Sequence, residues 1–429
     1  MKKILFATMM ACAGAFAADK TWTNGTGDGK WGTPGNWLDN AAPTASDTGY
    51  TITVSGTSEN NIPGLTPTRL ILAGSSAVRV TGESLALTDG VQFDATADAT
   101  LVVPLVLSGA GQQTFGGSSA KTLYLMGVVS GAGGIELTGA YTLYVAGSNT
   151  FEGGFKQSDG RVMIENGNAF GRGGVAFTKP APLISGVNNN YCQPFIVVKA
   201  NLTIPNDIAF ARDGYTENRH NGSVAVNGGT IFNGVCDFSA GGMRILTHSA
   251  PTAGAVTFNK TVKMFSVAAT DTDYRKMFLP KINSSYPFEF KARVTGNGLI
   301  GQDTGGSVFN SHVSGNEVIS IYFWGANTVV NCKARDTFMP TTYVKFKGTN
   351  AGGLLNLGGH DQTVACVFDE DSSRTATRTV KGGGTARLTM KAAARSTWPG
   401  RTTTRASSSS PTATRTSAAT AWATRTRAA

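Results

Sequence analysis

Short apolar stretches separated by glycines recur through residues 122–171. The segments 122–127, 128–137 and 138–147 each place apolar side chains at alternate positions and turn at glycine. Alternation of this kind predicts short strands with one buried side, and glycine supplies the positive φ that sharp turns between strands need. Units that repeat in this way bury their apolar side by stacking on one another. The pattern therefore predicts an all-β solenoid with glycine-rich turns.

The composition agrees with a repetitive β structure. Glycine supplies 54 of the 429 residues, and charged residues make up only 15%, against about a quarter in typical soluble proteins. Beyond the first residues no apolar stretch approaches the length that a transmembrane helix requires. We therefore expect no membrane span in this chain.

The first 17 residues have the features of a secretory signal peptide. Two lysines follow the initial methionine, residues 4–14 form a short apolar stretch, and residues 15–17 (Ala-Phe-Ala) fit a cleavage site. We therefore expect export, with a mature chain that starts near Ala18. A lipoprotein acylated at Cys12 is the alternative, but the apolar region before that cysteine is very short.

The basic net charge belongs to the C-terminal tail and does not indicate a nucleic-acid-binding surface. No acidic residue follows Asp371, whereas eleven of the 37 lysines and arginines do. The remaining 26 basic residues face 27 acidic ones, so the body of the protein is nearly neutral. A basic face of the kind that binds nucleic acid is therefore not expected.

Three segments resemble a known family, the autotransporter-associated β-strand repeat proteins. Residues 142–154 (TLYVAGSNTFEGG) resemble the family's strand T-L-T-L followed by S-G-x-N-x-Y-x-G-G, with Phe151 in the tyrosine position. Residues 355–364 (LNLGGHDQTV) resemble a second recurring form, L-x-L-x-G-x-x-Q-T-V. Residues 20–50, with their tryptophans and an Asn-Trp pair, resemble the opening of such exported chains. Between 172 and 353 the sequence is only compatible with strands and turns.

This resemblance implies a right-handed parallel β-helix, exported as a passenger-like segment and either secreted or held at the cell surface in association with the outer membrane. The role it implies is structural or adhesive. Expected partners are glycans or surface proteins of a host or the environment, with no nucleic acid and no membrane span. No enzyme activity is expected, and the sequence assigns no catalytic residue, no cofactor-binding residue and no metal ligand.

The chain divides into four parts by composition and pattern. These are a signal peptide (1–17), a tryptophan-rich N-terminal cap (18–50), a β-solenoid with passenger-type repeats (51–390) and a disordered basic tail (391–429). An open stack of strands needs a cover at its end, and the large rings of Trp22, Trp31 and Trp37 are suited to that purpose. The alternative is that these rings form a platform on which carbohydrates stack.

The tail has a second interpretation, which follows from the genetic code. New codons can be formed from the third base of each residue and the first two bases of the next. With CGN arginines and TCN serines, residues 393–406 then permit the sequence GGSLYLAGTNNYTG, which nearly repeats residues 142–153. We therefore expect the tail to be the frameshifted translation of a further repeat. An intact frame encoding the same tail in independent isolates would contradict this.

Isolated histidines and cysteines form no motif of a catalytic or metal site. The four histidines, which lie far apart and outside any H-x-x-H pattern, are His220, His248, His312 and His360; a turn is expected at His360. The four cysteines of the exported chain are Cys192, Cys236, Cys332 and Cys366, and their spacing matches no zinc motif. Disulfide formation and burial as small core residues both remain open for them.

Two other classes of protein remain as alternatives. Parallel β-helices include polysaccharide lyases and glycoside hydrolases, for which Asp271 with Asp273, or residues 369–371 (Asp-Glu-Asp), would be the candidate carboxylates. The setting of both groups favours exposed loops. A dedicated glycan-binding module would need exposed aromatic rings, and the alternating Tyr286, Phe288 and Phe290 could supply them, although a core position is favoured.

Overall fold

The chain folds as a stack of parallel β-strands in the computed structural model. The structure describes residues 18–179, 191–192, 194–210, 220–221, 223–240, 244–247, 254–266, 277–281, 287–302, 308–323, 328–346, 353–369 and 378–391. Within these ranges every ladder between strands is parallel, and the only helical segment is one 3-10 turn, Pro34–Asn36. The predicted all-β parallel solenoid is confirmed. The signal peptide (1–17) and all but Lys391 of the predicted disordered tail (391–429) lie outside the described residues.

Face A is a twelve-stranded sheet that starts at the N-terminal end of the stack. Its strands are β1 (Lys20–Thr21), β2 (Thr51–Val54), β4 (Arg69–Leu72), β7 (Gly90–Phe93), β10 (Gln112–Gly116), β13 (Gly134–Leu137), β15 (Phe155–Gln157), β17 (Val175–Phe177), β21 (Ile208–Phe210), β25 (Cys236–Asp237), β28 (Val262–Lys263) and β31 (Val294–Thr295).

Face B is the longest sheet, with fourteen strands. They are β3 (Thr57–Asn60), β5 (Val78–Gly82), β8 (Ala99–Leu101), β11 (Thr122–Leu125), β14 (Thr142–Val145), β16 (Arg161–Ile164), β19 (Phe195–Val197), β23 (Ser223–Val226), β26 (Arg244–Thr247), β29 (Met277–Lys281), β32 (Gly298–Gln302), β34 (Val318–Phe323), β36 (Tyr343–Phe346) and β39 (Cys366–Asp369).

Face C comprises two sheets. Each of their strands comes directly after a strand of face B in the chain. The first has β6 (Leu85–Leu87), β9 (Leu105–Leu107) and β12 (Val129–Ser130), and the second has β20 (Thr203–Ile204), β24 (Ile231–Phe232), β27 (Val256–Phe258), β30 (Phe288–Phe290), β33 (Val308–Ser311), β35 (Thr328–Cys332), β37 (Gly353–Asn356) and β40 (Arg378–Lys381). Two further pairs are β18 (Tyr191–Cys192) with β22 (His220–Asn221), and β38 (Gln362–Val364) with β41 (Leu388–Met390).

Strand register places like residues above one another and creates one continuous core. Leu123 of β11 pairs with Leu143 of β14, and both side chains are fully buried while their neighbours point outward. Burying each such side chain stabilises the fold by about 1.5–3 kcal/mol. Because each strand buries one row of side chains, stability accumulates with every coil.

Between residues 172 and 353 stacked phenylalanines fill the core. Phe177 and Phe210 have ring centroids 5.0 Å apart, and the next ring, Phe238, follows at 4.8 Å. On face C the rings of Phe258 and Phe290 also stack, with centroids 5.0 Å apart. Phe290 is fully buried, and the same holds for Phe288. The favoured core position of these two residues is confirmed, and Tyr286 lies outside the described residues.

Sharp corners between faces depend on glycine at a few positions. Gly117 has φ of 126°, and a Cβ atom built there would lie 2.2 Å from the backbone oxygen of Phe93 in the preceding coil. No other residue tolerates both conditions, because the backbone conformation and the close approach each exclude a side chain. The recurrent glycines of the sequence therefore set how closely successive coils approach at the corners.

Candidate functional site

The three tryptophans of the N-terminal region are buried and form part of the core. Trp22, Trp31 and Trp37 are 3%, 0% and 1% exposed. The rings of Trp31 and Trp37 meet edge to face with centroids 5.7 Å apart, and the Trp37 Nε1–H donates to the Trp31 backbone oxygen at 2.6 Å. Rings in this position have no face free for a sugar. Their packing favours the cap over the carbohydrate platform.

The asparagine before Trp37 organises the glycine-rich loop between the tryptophans. Asn36 is fully buried, accepts the backbone N–H of Thr26 at 2.9 Å, and donates to the backbone oxygen of Lys30 at 2.8 Å. Hydrogen bonds from the Lys30 backbone N–H and from the Thr33 and Asn36 side chains lower the pKa of Asp28 to about 2. The Asn-Trp pair of the opening motif therefore has a structural role.

The polar residues of the two repeat motifs join neighbouring coils. Asn149, 3% exposed, accepts the backbone N–H of Val129 at 2.8 Å and donates to the backbone oxygen of Ala169 at 2.7 Å. Gln362 of the second motif accepts the backbone N–H of Thr337 at 2.7 Å. Its Nε2 donates to a backbone oxygen of the preceding coil at 2.7 Å. Both amides satisfy backbone groups that corners leave without strand partners.

The cysteines do not form a redox or metal centre among the described residues. Cys236 and Cys332 are free thiols buried in the core, and Cys366 is a free thiol that is half-buried. Burial raises the pKa of the Cys332 thiol to about 12 and that of Cys236 still further. Thiols so strongly protonated are poor nucleophiles. Of Cys192 the structure describes only the backbone, in β18.

Among the residues that the structure describes, no two of the predicted carboxylates and histidines come together into a site. His360 lies at the end of a turn, where its backbone N–H donates to the Leu357 oxygen at 3.0 Å, and the predicted turn is confirmed. Of His220 and Asp369 only the backbone is described. The candidates that lie outside the described residues are His248, Asp271, Asp273, Glu370 and Asp371.

A groove on the outer side of face B is the first candidate that the sequence analysis missed. It has a volume of about 390 Å³ and is lined by Arg79, Thr100, Val102, Tyr124 and Met126. Strand register assembles it, because Thr100 pairs with Arg79 on one side and with Tyr124 on the other. We call this site the Arg79 groove.

Beyond the groove, face B continues as an outward row of large side chains. Tyr144 pairs with Tyr124 in the next coil, and their ring centroids are 5.2 Å apart. The Tyr144 hydroxyl donates to Glu165 Oε2 at 2.7 Å. Burial and the neighbouring Glu165 carboxylate raise the pKa of Tyr144 to about 12. Tyr144 is thus held by the protein itself, and it supports the Tyr124 ring from behind.

A ladder of amides on the outer side of face C is the second candidate. Asn331 Nδ2 donates to Asn310 Oδ1 at 2.7 Å, and Asn356 Nδ2 donates to Asn331 Oδ1 at 2.8 Å. The ladder ends on Glu289, whose Oε1 accepts from Asn310 Nδ2 at 2.6 Å. Amide ladders of this kind reinforce the stacking of parallel strands.

Glu289 also carries the main ionisable cluster on this face. Its Oε2 contacts His312 Nε2, and Lys291 Nζ lies 3.6 Å from the same oxygen. Burial alone would raise the pKa of Glu289, but the hydrogen bonds from Asn310 and His312 and the charges of His312 and Lys291 outweigh it. The pKa therefore lies below its usual range, and Glu289 is ionised at neutral pH.

Replacing Glu289 by glutamine is expected to remove a pH-dependent part of the stability. Because the folded state lowers the pKa of Glu289, its contribution is present above the ordinary value of 4.5 and is lost as the pH falls through the folded value. E289Q should lower the free energy of unfolding by about 1 kcal/mol at pH 7, and the difference from wild type should shrink as the pH falls below 4.5. Thermal unfolding between pH 3 and pH 7 measures it.

A matched control for this experiment is Glu152→Gln. Glu152 is exposed and lies 3.7 Å from Arg172 in a surface ion pair. Such pairs contribute little, so E152Q should follow the wild-type curve at every pH. A constant offset between E289Q and wild type at all pH values would contradict the role assigned to the ionised carboxylate.

The described part of the chain contains no group of three or more His, Cys, Asp or Glu side chains arranged to hold a metal ion. Among the same residues, no helix has the length and apolar character needed to cross a membrane.

Comparisons with protein families, with curated proteins and with solved structures find no match for this chain. The resemblance to the autotransporter-associated repeat proteins therefore rests on the motifs at 20–50, 142–154 and 355–364. These are the segments in which the structure gives Asn36, Asn149 and Gln362 their buried hydrogen bonds.

Proposed function

We propose that the protein is an exported, passenger-like β-solenoid that acts outside the cell as a rigid structural or adhesive scaffold, without catalysis. The observation that carries the proposal is the use of the motif amides. The side-chain amides of Asn149 and Gln362 form hydrogen bonds between coils and do not contribute to a site open to solvent. The repeat motifs thus stabilise the stack of coils, and any partner would be bound by side chains on the outer surfaces.

The length of the stack supports a scaffold role. Face B has fourteen strands, and at about 4.8 Å between neighbouring strands it extends for roughly 60 Å. Buried rows of apolar side chains run along this length and resist bending. A rod of this kind can hold a binding surface away from its point of attachment.

Export is supported by the pattern of residues 1–17, and the state of the cysteines does not conflict with it. Cys236 and Cys332 are buried where an oxidising environment cannot reach them easily. The fold therefore needs no disulfide between these two residues to persist outside the cell. Secretion or attachment at the cell surface, in association with the outer membrane, is part of the proposal.

Expression of the complete chain in a Gram-negative host tests export. Mass spectrometry of the extracellular and envelope fractions should find a mature N-terminus at or near Ala18. Replacing Ala17 by glutamine, which removes the small residue at the cleavage site, should leave the longer form. Retention of the uncleaved wild-type protein in the cytoplasm would overturn the export proposal.

Adhesion and catalysis are separated by two assays on the exported protein. Beads coated with it should adhere to cells or immobilised glycans more than beads coated with albumin. Incubation with a panel of polysaccharides should release no reducing ends and no unsaturated products. Release of either would overturn the non-catalytic assignment and support a hydrolase or a lyase.

A further inference from the structure

The Arg79 groove combines an apolar floor with polar groups that the protein leaves unused. Met126 is 42% exposed and the nearby Val128 is 45% exposed. Most other large apolar side chains of the described residues are buried. Val102 adds to the same floor. Single apolar side chains on a surface are ordinary, but these lie beside one open groove and together offer an apolar surface on which a ligand can pack.

Three hydrogen-bonding groups surround this floor. Among the described residues Arg79 has no ion-pair partner, whereas Arg69 and Arg172 each pair with a carboxylate. The hydroxyls of Thr100 and Tyr124 likewise make no hydrogen bond within the described part of the protein. Arg79, Thr100 and Tyr124 therefore line the groove with polar groups that other described residues do not engage.

We propose that the Arg79 groove binds a carboxylated pyranose residue of an acidic glycan. The apolar C–H face of the sugar packs on the Tyr124 ring and Met126, and its hydroxyls meet those of Thr100 and Tyr124. The carboxylate pairs with the Arg79 guanidinium, whose planar fork suits two parallel hydrogen bonds. This inference rests on the proposed adhesive role and names the ligand for it.

The geometry disfavours other ligands. A peptide that adds a strand needs a free sheet edge, whereas β5, β8 and β11 are already paired within face B. Nucleic acid requires several cations along its phosphates, and among the described residues only one cation, Arg79, lines the groove. A neutral sugar would leave the Arg79 charge without a partner.

Calorimetric titration of the full mature protein with a galacturonic acid tetramer and its uncharged galactose counterpart tests the proposal. The acidic tetramer should bind at least about tenfold more tightly, and the preference should shrink as salt is raised. R79Q should abolish the preference while leaving the circular dichroism spectrum unchanged. Y124A should weaken binding of both sugars by about tenfold.

A control variant belongs to the experiment. R172Q removes an exposed arginine outside the groove and should leave both affinities unchanged. Equal binding of the two tetramers, or unaltered binding by R79Q, would overturn the carboxylate assignment. Tighter binding of a glutamate-rich peptide than of the tetramer would overturn the glycan assignment.

Failure of the proposed glycan binding by the Arg79 groove can be distinguished from failure of the proposed adhesive role. If protein-coated beads adhere to cells but neither tetramer binds the groove, the scaffold function stands and the groove assignment is overturned. If R79Q and Y124A abolish both tetramer binding and bead adhesion, the groove is the adhesive surface.

Discussion

Replacing Trp37 by alanine should destabilise the N-terminal coil of the solenoid by about 3–5 kcal/mol. The side chain is 1% exposed, packs edge to face on Trp31, and donates its Nε1–H to the Trp31 backbone oxygen. Removal leaves a large cavity at the end of the stack and an unpaired acceptor. The loss should be local, because in a stack of repeats each coil depends mainly on its neighbours.

Hydrogen exchange of individual backbone amides measures how far the destabilisation extends along the stack. In W37A the amides of β1 and β2 should exchange faster, while those of β14 and β16, deep in the stack, should keep their wild-type rates. Leu38→Ala is the control, because Leu38 is adjacent in sequence but 72% exposed, and its effect should stay within about 0.5 kcal/mol. Uniform acceleration through the chain in W37A would show that the tryptophans do not act as an end cap.

The fold could be predicted from the sequence where the repeats are regular. The alternation in 122–147 places buried and outward side chains as the structure has them, in β11, β13 and β14. This succeeds because a period of two residues fixes which side of a strand is buried, and glycine fixes where the chain turns.

The middle of the chain was less predictable because the length of its coils varies. Ile135 pairs with Phe155, twenty residues further on, whereas Val175 pairs with Ile208, thirty-three residues further on. With no fixed period, self-similarity is lost even though the strands persist. Stacked phenylalanines hold this region together, and their contacts depend on register, not on spacing in the sequence.

The candidate sites escaped prediction for the same physical reason. Glu289 and His312 are neighbours only because Glu289 pairs with Asn310, two residues before the histidine. The Arg79 groove likewise draws its lining from three successive coils, one side chain from the first and two from each of the others. A signal could have been found by aligning the outward positions of consecutive coils, but that requires the register first.

The inward and outward rows of side chains in this solenoid thus have different roles. Inward positions hold apolar side chains and the corner amides, and their replacement should change stability. Outward positions hold the Arg79 groove on face B and the amide ladder on face C, and their replacement should mostly change binding or pH dependence. Replacing Asn149 tests this distinction, because a structural role predicts a loss of stability whereas a role in binding does not.

Asn149→Leu should lower the free energy of unfolding by about 2–5 kcal/mol, although leucine has nearly the same size and a more apolar side chain. The substitution leaves the Val129 N–H and the Ala169 oxygen buried without partners. Each orphaned group costs about 1–3 kcal/mol. Denaturant unfolding followed by circular dichroism measures the loss, and exchange of the Val129 amide should accelerate most.

Asn168 provides the matched control, since it is exposed and its side chain reaches only Ser148 Oγ, at 3.2 Å. N168A should change the free energy of unfolding by less than about 0.5 kcal/mol. If N149L proved no more damaging than N168A, the asparagine would not be a structural link between coils. Its place in the repeat motif would then call for a ligand, and the assignment of recognition to the outer faces would have to be abandoned.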